Sequence, residues 1–214
     1  MFRIGRQHAG TLALAGCSGA IDLLAITALS GTFVSVITGN LVIFGYGLGQ
    51  PEPSRLIAVG IAVPAFALGV LLWFGLWRSR PAAVRGPLLA EFGLVAVLAV
   101  VLLAVEVHPN DAVARILLGV AGVAMGAQSV IANRLKISTT YMTGNLTNAL
   151  TDLLTGRRAQ AIPAFLQLVA LLAGAAVAAA LYVHLRWAAP LLPLLLLATA
   201  IGLIRAPAPA PAPV

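Results

Sequence analysis

Thr38-Gly39-Asn40-Leu41 returns as Thr143-Gly144-Asn145-Leu146, 105 positions further along a chain of 214 residues. Each copy lies inside or beside strongly apolar sequence. The same shift aligns Ile26 with Ile131, Leu48 with Leu153, Ile57 with Ile162, Ala65 with Ala170 and Gly69 with Gly174. This is an in-register internal repeat. Paired polar interruptions in corresponding halves of a membrane protein point to a central binding or permeation site.

Composition sets the solvent. Hydrophobic residues make up 61% of the chain and charged residues only 9%, with a mean hydropathy of +1.03. A soluble domain carries about 25% charged residues, so an ordinary water-soluble fold is excluded. The net charge of +7 does not imply nucleic acid, because the basic residues stand in small groups at the ends of apolar runs. There they act as membrane anchors and orientation signals. A lone cysteine, Cys17, precludes an intramolecular disulfide and reads as a small packing residue.

In chain order, residues 1–9 form a basic arm with Arg3, Arg6 and His8, followed by a retained span at about 10–29 that carries Asp22. The segment 31–49 holds the first motif and is apolar enough to cross on its own, ending at Pro51 and Pro53. Runs at 55–77 and 87–106 follow, the second with Glu91 near its start, where it is expected in the interface. The first membrane repeat is thus 10–107 and the second 112–205. The latter comprises a span at 112–132, the motif segment 137–154, and runs at 161–183 and 188–204. Residues 206–214 alternate proline and alanine and are read as a disordered tail.

Segment 137–154 carries Ser138, Thr139, Thr140, Thr143, Asn145, Thr147, Asn148, Thr151 and Asp152. It is therefore enclosed by other helices, lines a cavity or fails to cross, since unsatisfied polar groups in hydrocarbon cost several kcal/mol each. Eight crossings would leave the basic residues evenly divided. Six crossings, with both motif segments dipping in and returning, collect Arg3, Arg6, Arg78, Arg80, Arg85, Arg134, Lys136, Arg157, Arg158 and Arg205 on one side. Only Arg55, Arg115 and Arg186 remain opposite. The positive-inside rule then places both termini in the cytoplasm. The expected fold is all-α and polytopic, with six transmembrane helices in two inverted repeats of three; seven or eight crossings are the alternative.

The polar residues inside this envelope are the site candidates. Asp22 in mid-span calls for pairing, proton relay or ion binding, because a charge there costs roughly 2.5–3.5 kcal/mol on insertion scales. Thr38, Gly39, Asn40, Thr143, Gly144, Asn145 and Asn148 supply uncharged donors, acceptors and close backbone approach. If short helices start at the motifs, their free N–H groups favour an electronegative atom. The competing reading is helix–helix glue, for which Gly, Thr and Asn are also suited. Gln128 falls one position off register from Asp22, and Glu91 completes the set. Gly122 and Gly126 suit close helix contact. Glycine- and alanine-rich faces at 119–126 and 173–180 permit a homo-oligomer. His8, His108 and His184 fall at separate span ends, so no metal site is expected. Gly45-Tyr-Gly-Leu-Gly49 lacks the context of a nucleotide fingerprint. No cofactor and no enzymatic nucleophile are expected.

Gly19-Ala-Ile-Asp22, Gly31-Thr-Phe33 leading to Thr38-Gly39-Asn40, Glu91, Met125-Gly126-Ala-Gln128 and Thr139-Thr140-Tyr-Met-Thr143-Gly144 together resemble the YoaK-type family. The resemblance covers nearly all of the chain outside the arm and tail; Ser129 departs from the asparagine expected after the glutamine. It implies a small multi-pass protein of the bacterial inner membrane and supplies no substrate. The function expected from the residues is passage of a small polar or ionic solute, the proton included, across the lipid bilayer, centred on Asp22 and the two motifs. A non-transporting component that binds lipid or a partner protein is the alternative.

Overall fold

The computed structural model describes residues 5–50, 52–80, 84–135 and 142–204. Arg3, Lys136, Ser138, Thr139, Thr140, Arg205 and the Pro-Ala tail lie outside them, as do the readings made on those residues. Among the described residues all regular structure is helical: α1 (Arg6–Ala28), α2 (Ile37–Gly49), α3 (Pro53–Leu76), α4 (Arg85–Ala104), α5 (Asp111–Arg134), α6 (Met142–Leu154), α7 (Arg158–His184) and α8 (Leu191–Leu203), with one 3-10 turn at Arg186–Ala188 before α8. Six of these, counting that turn with α8, are long and apolar enough to cross a membrane. The protein is a polytopic all-α membrane protein.

α2 and α6 are the exceptions. Each has 13 residues, about 20 Å of helix against a hydrocarbon core of about 30 Å. The apolar segment 31–49 does not form one span: its helix starts only at Ile37, after an irregular stretch, so apolarity alone overstated its reach.

Helix directions follow from contacts. Along α1, Gly16 meets Ala170, Gly19 meets Leu171 and Ala175, and the Thr27 carbonyl accepts from the Tyr182 hydroxyl. The numbering rises together, so α1 and α7 are parallel. Gly10 meets Leu203 and Ile204, and Gly16 meets Leu196, so α8 is antiparallel to α1. α5 follows the same rule on α3: Gly122 meets Ala62 and Ala65, Gly126 meets Phe66 and Val70, and Arg134 donates to the Trp77 carbonyl. The His108 ring before α5 contacts the Arg186 guanidinium between α7 and α8, so the start of α5 shares an end of the bundle with the finish of α7. α1 and α5 therefore run in opposite directions. α2 leaves and returns at the end where α1 finishes. α6 does so at the other end, which carries Arg6, Arg78, Arg80, Arg85, Arg134, Arg157 and Arg158.

α1 and α5 form the centre. Their apolar windows are 78% and 72% buried, against 17–39% for the other four long helices. α1 packs chiefly on α7 and α8, α5 chiefly on α3 and α4, and α4 closes against α8. Burial of the two more polar helices keeps their side chains out of lipid. Glycine permits the approach. A side chain built at Gly174 would strike the backbone of Gly16, and one at Gly126 would lie 2.7 Å from the Phe66 carbonyl oxygen. Gly122 and Gly126, read as suited to close helix contact, are buried against α3, and Gly174 is buried against α1; along 173–180, Ala173, Ala176, Val177 and Ala180 stay exposed.

Gly174→Val and Gly126→Val should each destabilise the purified protein by at least about 1–3 kcal/mol, the scale of overpacking, and broaden its elution in detergent. Gly144→Ala meets nothing within 4 Å and should leave thermal unfolding unchanged; equal stability of all three variants would refute backbone-close packing.

Candidate functional site

The ten candidate residues fall into three places. The first is the α1–α2 junction. α1 ends in a turn at Ser30 and Gly31, both at positive φ, which suits glycine's freedom at the second position. The chain then folds back alongside α1, because the loop amides are tied to Asp22, about 9 Å of helix axis before Ala28. Asp22 Oδ1 accepts from the Val34 N–H at 2.8 Å and the Ser35 N–H at 2.9 Å, and Oδ2 accepts from the Ser35 hydroxyl. Asn40, fully buried, does the same from α2. Its Oδ1 accepts from the Thr32 hydroxyl at 2.8 Å and the Phe33 N–H at 3.2 Å, while its Nδ2 donates to the Phe33 carbonyl at 2.7 Å. Asp22 and Asn40 thus replace the water that irregular backbone would need at membrane depth. Thr38 is exposed and Gly39 half-buried.

The second place is the α6–α7 contact at the opposite end. Thr143-Gly144-Asn145 occupies the first turn of α6, as Thr38-Gly39-Asn40 does of α2. Asn145 Nδ2 donates to Gln167 Oε1 at 2.8 Å, and Gln167 is buried about 14 Å along α7. The inner end of α6 is therefore held within the bundle while Leu154 returns to the surface. Thr143, Gly144 and Asn148 are exposed. The described helix of this polar segment, Met142–Leu154, is too short to cross by itself.

The third place lies deep between α1, α4 and α5. Gln128 is fully buried; its Nε2 donates to the Leu14 carbonyl at 3.0 Å and the Ser18 hydroxyl at 2.6 Å. Glu91, expected in the interface, is also fully buried. It lies about 9 Å in from the start of α4, and Gln128 about 9 Å in from the end of α5. Those two helix ends flank the same residue: Gly86 abuts the Trp77 indole and Arg134 donates to the Trp77 carbonyl. Glu91 and Gln128 therefore occupy one depth. Glu91 also lies within electrostatic range of Cys17, the neighbour of Ser18. Both Glu91 carboxyl oxygens and Gln128 Oε1 have no hydrogen-bond partner among the described residues.

A single centre uniting Asp22 with both motifs is not formed. The reason is directional: α2 and α6 enter from opposite ends and lie on α3 and α7, outside the central pair. Ser18, Ser35 and Gln167 complete these clusters and were not singled out from sequence. Ser18 and Gln167 carry no motif; Ser35 stands in an apolar stretch just before the first motif.

A family model matches residues 10–203, and the chain belongs to that family, described as a protein of unknown function (DUF1275). No curated protein and no solved structure matches.

Asp22→Ala strands the Val34 and Ser35 amides in a buried loop and should cost about 1–3 kcal/mol for each unpaired group. Asp22→Asn keeps an acceptor and should cost much less. Thermal unfolding in detergent measures both, and an alanine variant as stable as the parent would show that Asp22 does not hold the loop.

Proposed function

We propose that this membrane protein is a carrier for a small polar or ionic solute, built from two inverted halves. The observation that carries the reading is mirrored packing. Gly19 of α1 abuts the Leu171 carbonyl and the Ala175 amide of α7; Gly126 of α5 abuts the Phe66 carbonyl and the Val70 amide of α3. Phe66 and Leu171, like Val70 and Ala175, are related by the 105-residue shift that relates the two Thr-Gly-Asn motifs. The helix ends repeat the correspondence: Tyr182 donates to the Thr27 carbonyl, and Arg134 donates to that of Trp77, the shift-mate of Tyr182.

Three long helices per half make the halves antiparallel. Short helices then enter from opposite ends with their N-terminal turns innermost, an arrangement that recurs in secondary transporters. Two halves joined by glycine-lined contacts can rock against one another, so that a buried polar group faces each side in turn. Arginines concentrate at the end holding both the start of α1 and the end of α8, which supports a cytoplasmic position for that end. One observation favours the competing, non-transporting reading: the polar atoms of Asp22 and Asn40 are engaged by their own loop, as packing glue would be.

Single cysteines in a Cys17→Ser background, probed with an impermeant thiol reagent, test the inversion. Gln50, Asn110 and Trp187 should label from outside, Ser79 and Thr155 only from within; Gln50 and Thr155 on one side would end it. Uptake of small organic anions, cations and zwitterions into proteoliposomes tests transport. At least one class should exceed protein-free vesicles several-fold, and no uptake of any class would favour the non-transporting alternative.

A further inference from the structure

We infer that Glu91, buried inside the bundle at the depth of Gln128, is a proton-binding site, and that the coupling ion of the proposed carrier is the proton; the second part rests on the carrier reading. The site offers acceptors only. Glu91 Oε1 and Oε2 and Gln128 Oε1 are buried with no partner among the described residues, while the donor side of Gln128 is engaged by Leu14 and Ser18. A bare carboxylate so placed would bear the full cost of an unpaired buried charge. One proton on the carboxyl removes that charge.

Among the described residues the surroundings offer nothing else to balance it: α3, which meets α4 through Trp73 and Trp77, has Arg55 at the far end, and the exposed Arg78 and Arg80 follow it at the near end. Of the helices packed on α4, α8 has no ionisable side chain. α5 has Asp111 and Arg115 at the far end and Arg134 at the near end, where Arg134 donates to the Trp77 and Arg80 carbonyls. α4 itself has only Arg85, at its first position. α1 contributes Cys17, whose thiol donates to the Pro193 carbonyl at 3.6 Å; Asp22 serves the loop and Arg6 and His8 stand at the start of the helix. A hard metal cation collects about six or more oxygens, and the free set here is three. Among the described residues no group of three His, Cys, Asp or Glu side chains gathers around a metal position. In the transport cycle the carboxyl takes H⁺ when the site faces one side and returns it as carboxylate plus H⁺ when it faces the other. No covalent bond other than O–H changes.

The test is infrared difference spectroscopy of the full-length protein in lipid nanodiscs, with the proton itself as probe and sodium and potassium chloride as competitors. At neutral pH a carboxylic-acid C=O band should be present. It should shift in D₂O, be lost in Glu91→Gln and remain in Asp22→Asn. Glu91→Gln, which mimics the protonated side chain, should unfold at the parent temperature. Absence of the band at neutral pH, a band that never shifts in D₂O, or salt that removes the band or stabilises only the parent, would each overturn the proton site. The spectrum needs no solute, so it decides the site separately from transport. A positive spectrum without uptake of any solute class would refute the carrier and leave the proton site standing. Uptake that Glu91→Gln still couples to a pH gradient would refute proton coupling through Glu91.

Discussion

Hydrocarbon offers no hydrogen bonds, so every backbone amide and carbonyl at membrane depth must find its partner inside the protein. That constraint organises this molecule. Most of the chain meets it with helices, six of them long enough to cross. The α1–α2 junction cannot, because the chain turns at Ser30–Gly31 and runs back beside α1 without regular structure. Asp22 and Asn40 meet the constraint there with side-chain atoms, taking up the amides of Phe33, Val34 and Ser35 and the carbonyl of Phe33. Two polar residues that look costly in a membrane segment are what makes the break in helix tolerable.

The second organising effect is the absence of side chains where helices approach most closely. Lipid tails are as apolar as leucine, so helix association within a bilayer depends on packing and not on removing apolar surface from water. Gly16, Gly19 and Gly174 bring α1 onto α7, and Gly69, Gly122 and Gly126 bring α5 onto α3. These parallel pairs are then linked by α4 against α8 and by the Gln128 bonds from α5 to α1. The result encloses the two more polar long helices and leaves the leucine-rich faces of the others outward. Contacts between backbones at glycine are also the kind of interface along which two halves can move, since no interlocked side chains have to clear one another.

Against this background of satisfied polar groups, the carboxyl oxygens of Glu91 and the amide oxygen of Gln128 are exceptions. They are not scattered: they lie at one depth on adjacent helices, and both belong to groups that accept. Asp22, a carboxylate of the same chemistry, shows the contrast, since its oxygens receive three donors. One acid is built into the architecture and the other is left open within it, which is why the two fit different roles despite similar burial.

Sequence by itself determined the class of the protein and the number of long spans. Both rest on local quantities: the length of apolar runs, their basic flanks and the scarcity of charge. It also located the two motif segments and, through arginine placement, the preference for six crossings over eight. Tertiary structure decided what the polar residues do. Asp22 and Glu91 look alike in sequence, each one acid in an apolar stretch, and mid-span position makes Asp22 seem the more exceptional. Their difference lies in what comes back to meet them. A loop returning on α1 supplies donors to Asp22, whereas the helices packed on α4 supply none to Glu91. Likewise nothing in the sequence marks Gln167 as the residue on α7 that Asn145 of the second motif reaches. Hydrogen-bond satisfaction at depth depends on residues distant in sequence, and only the folded chain brings them together.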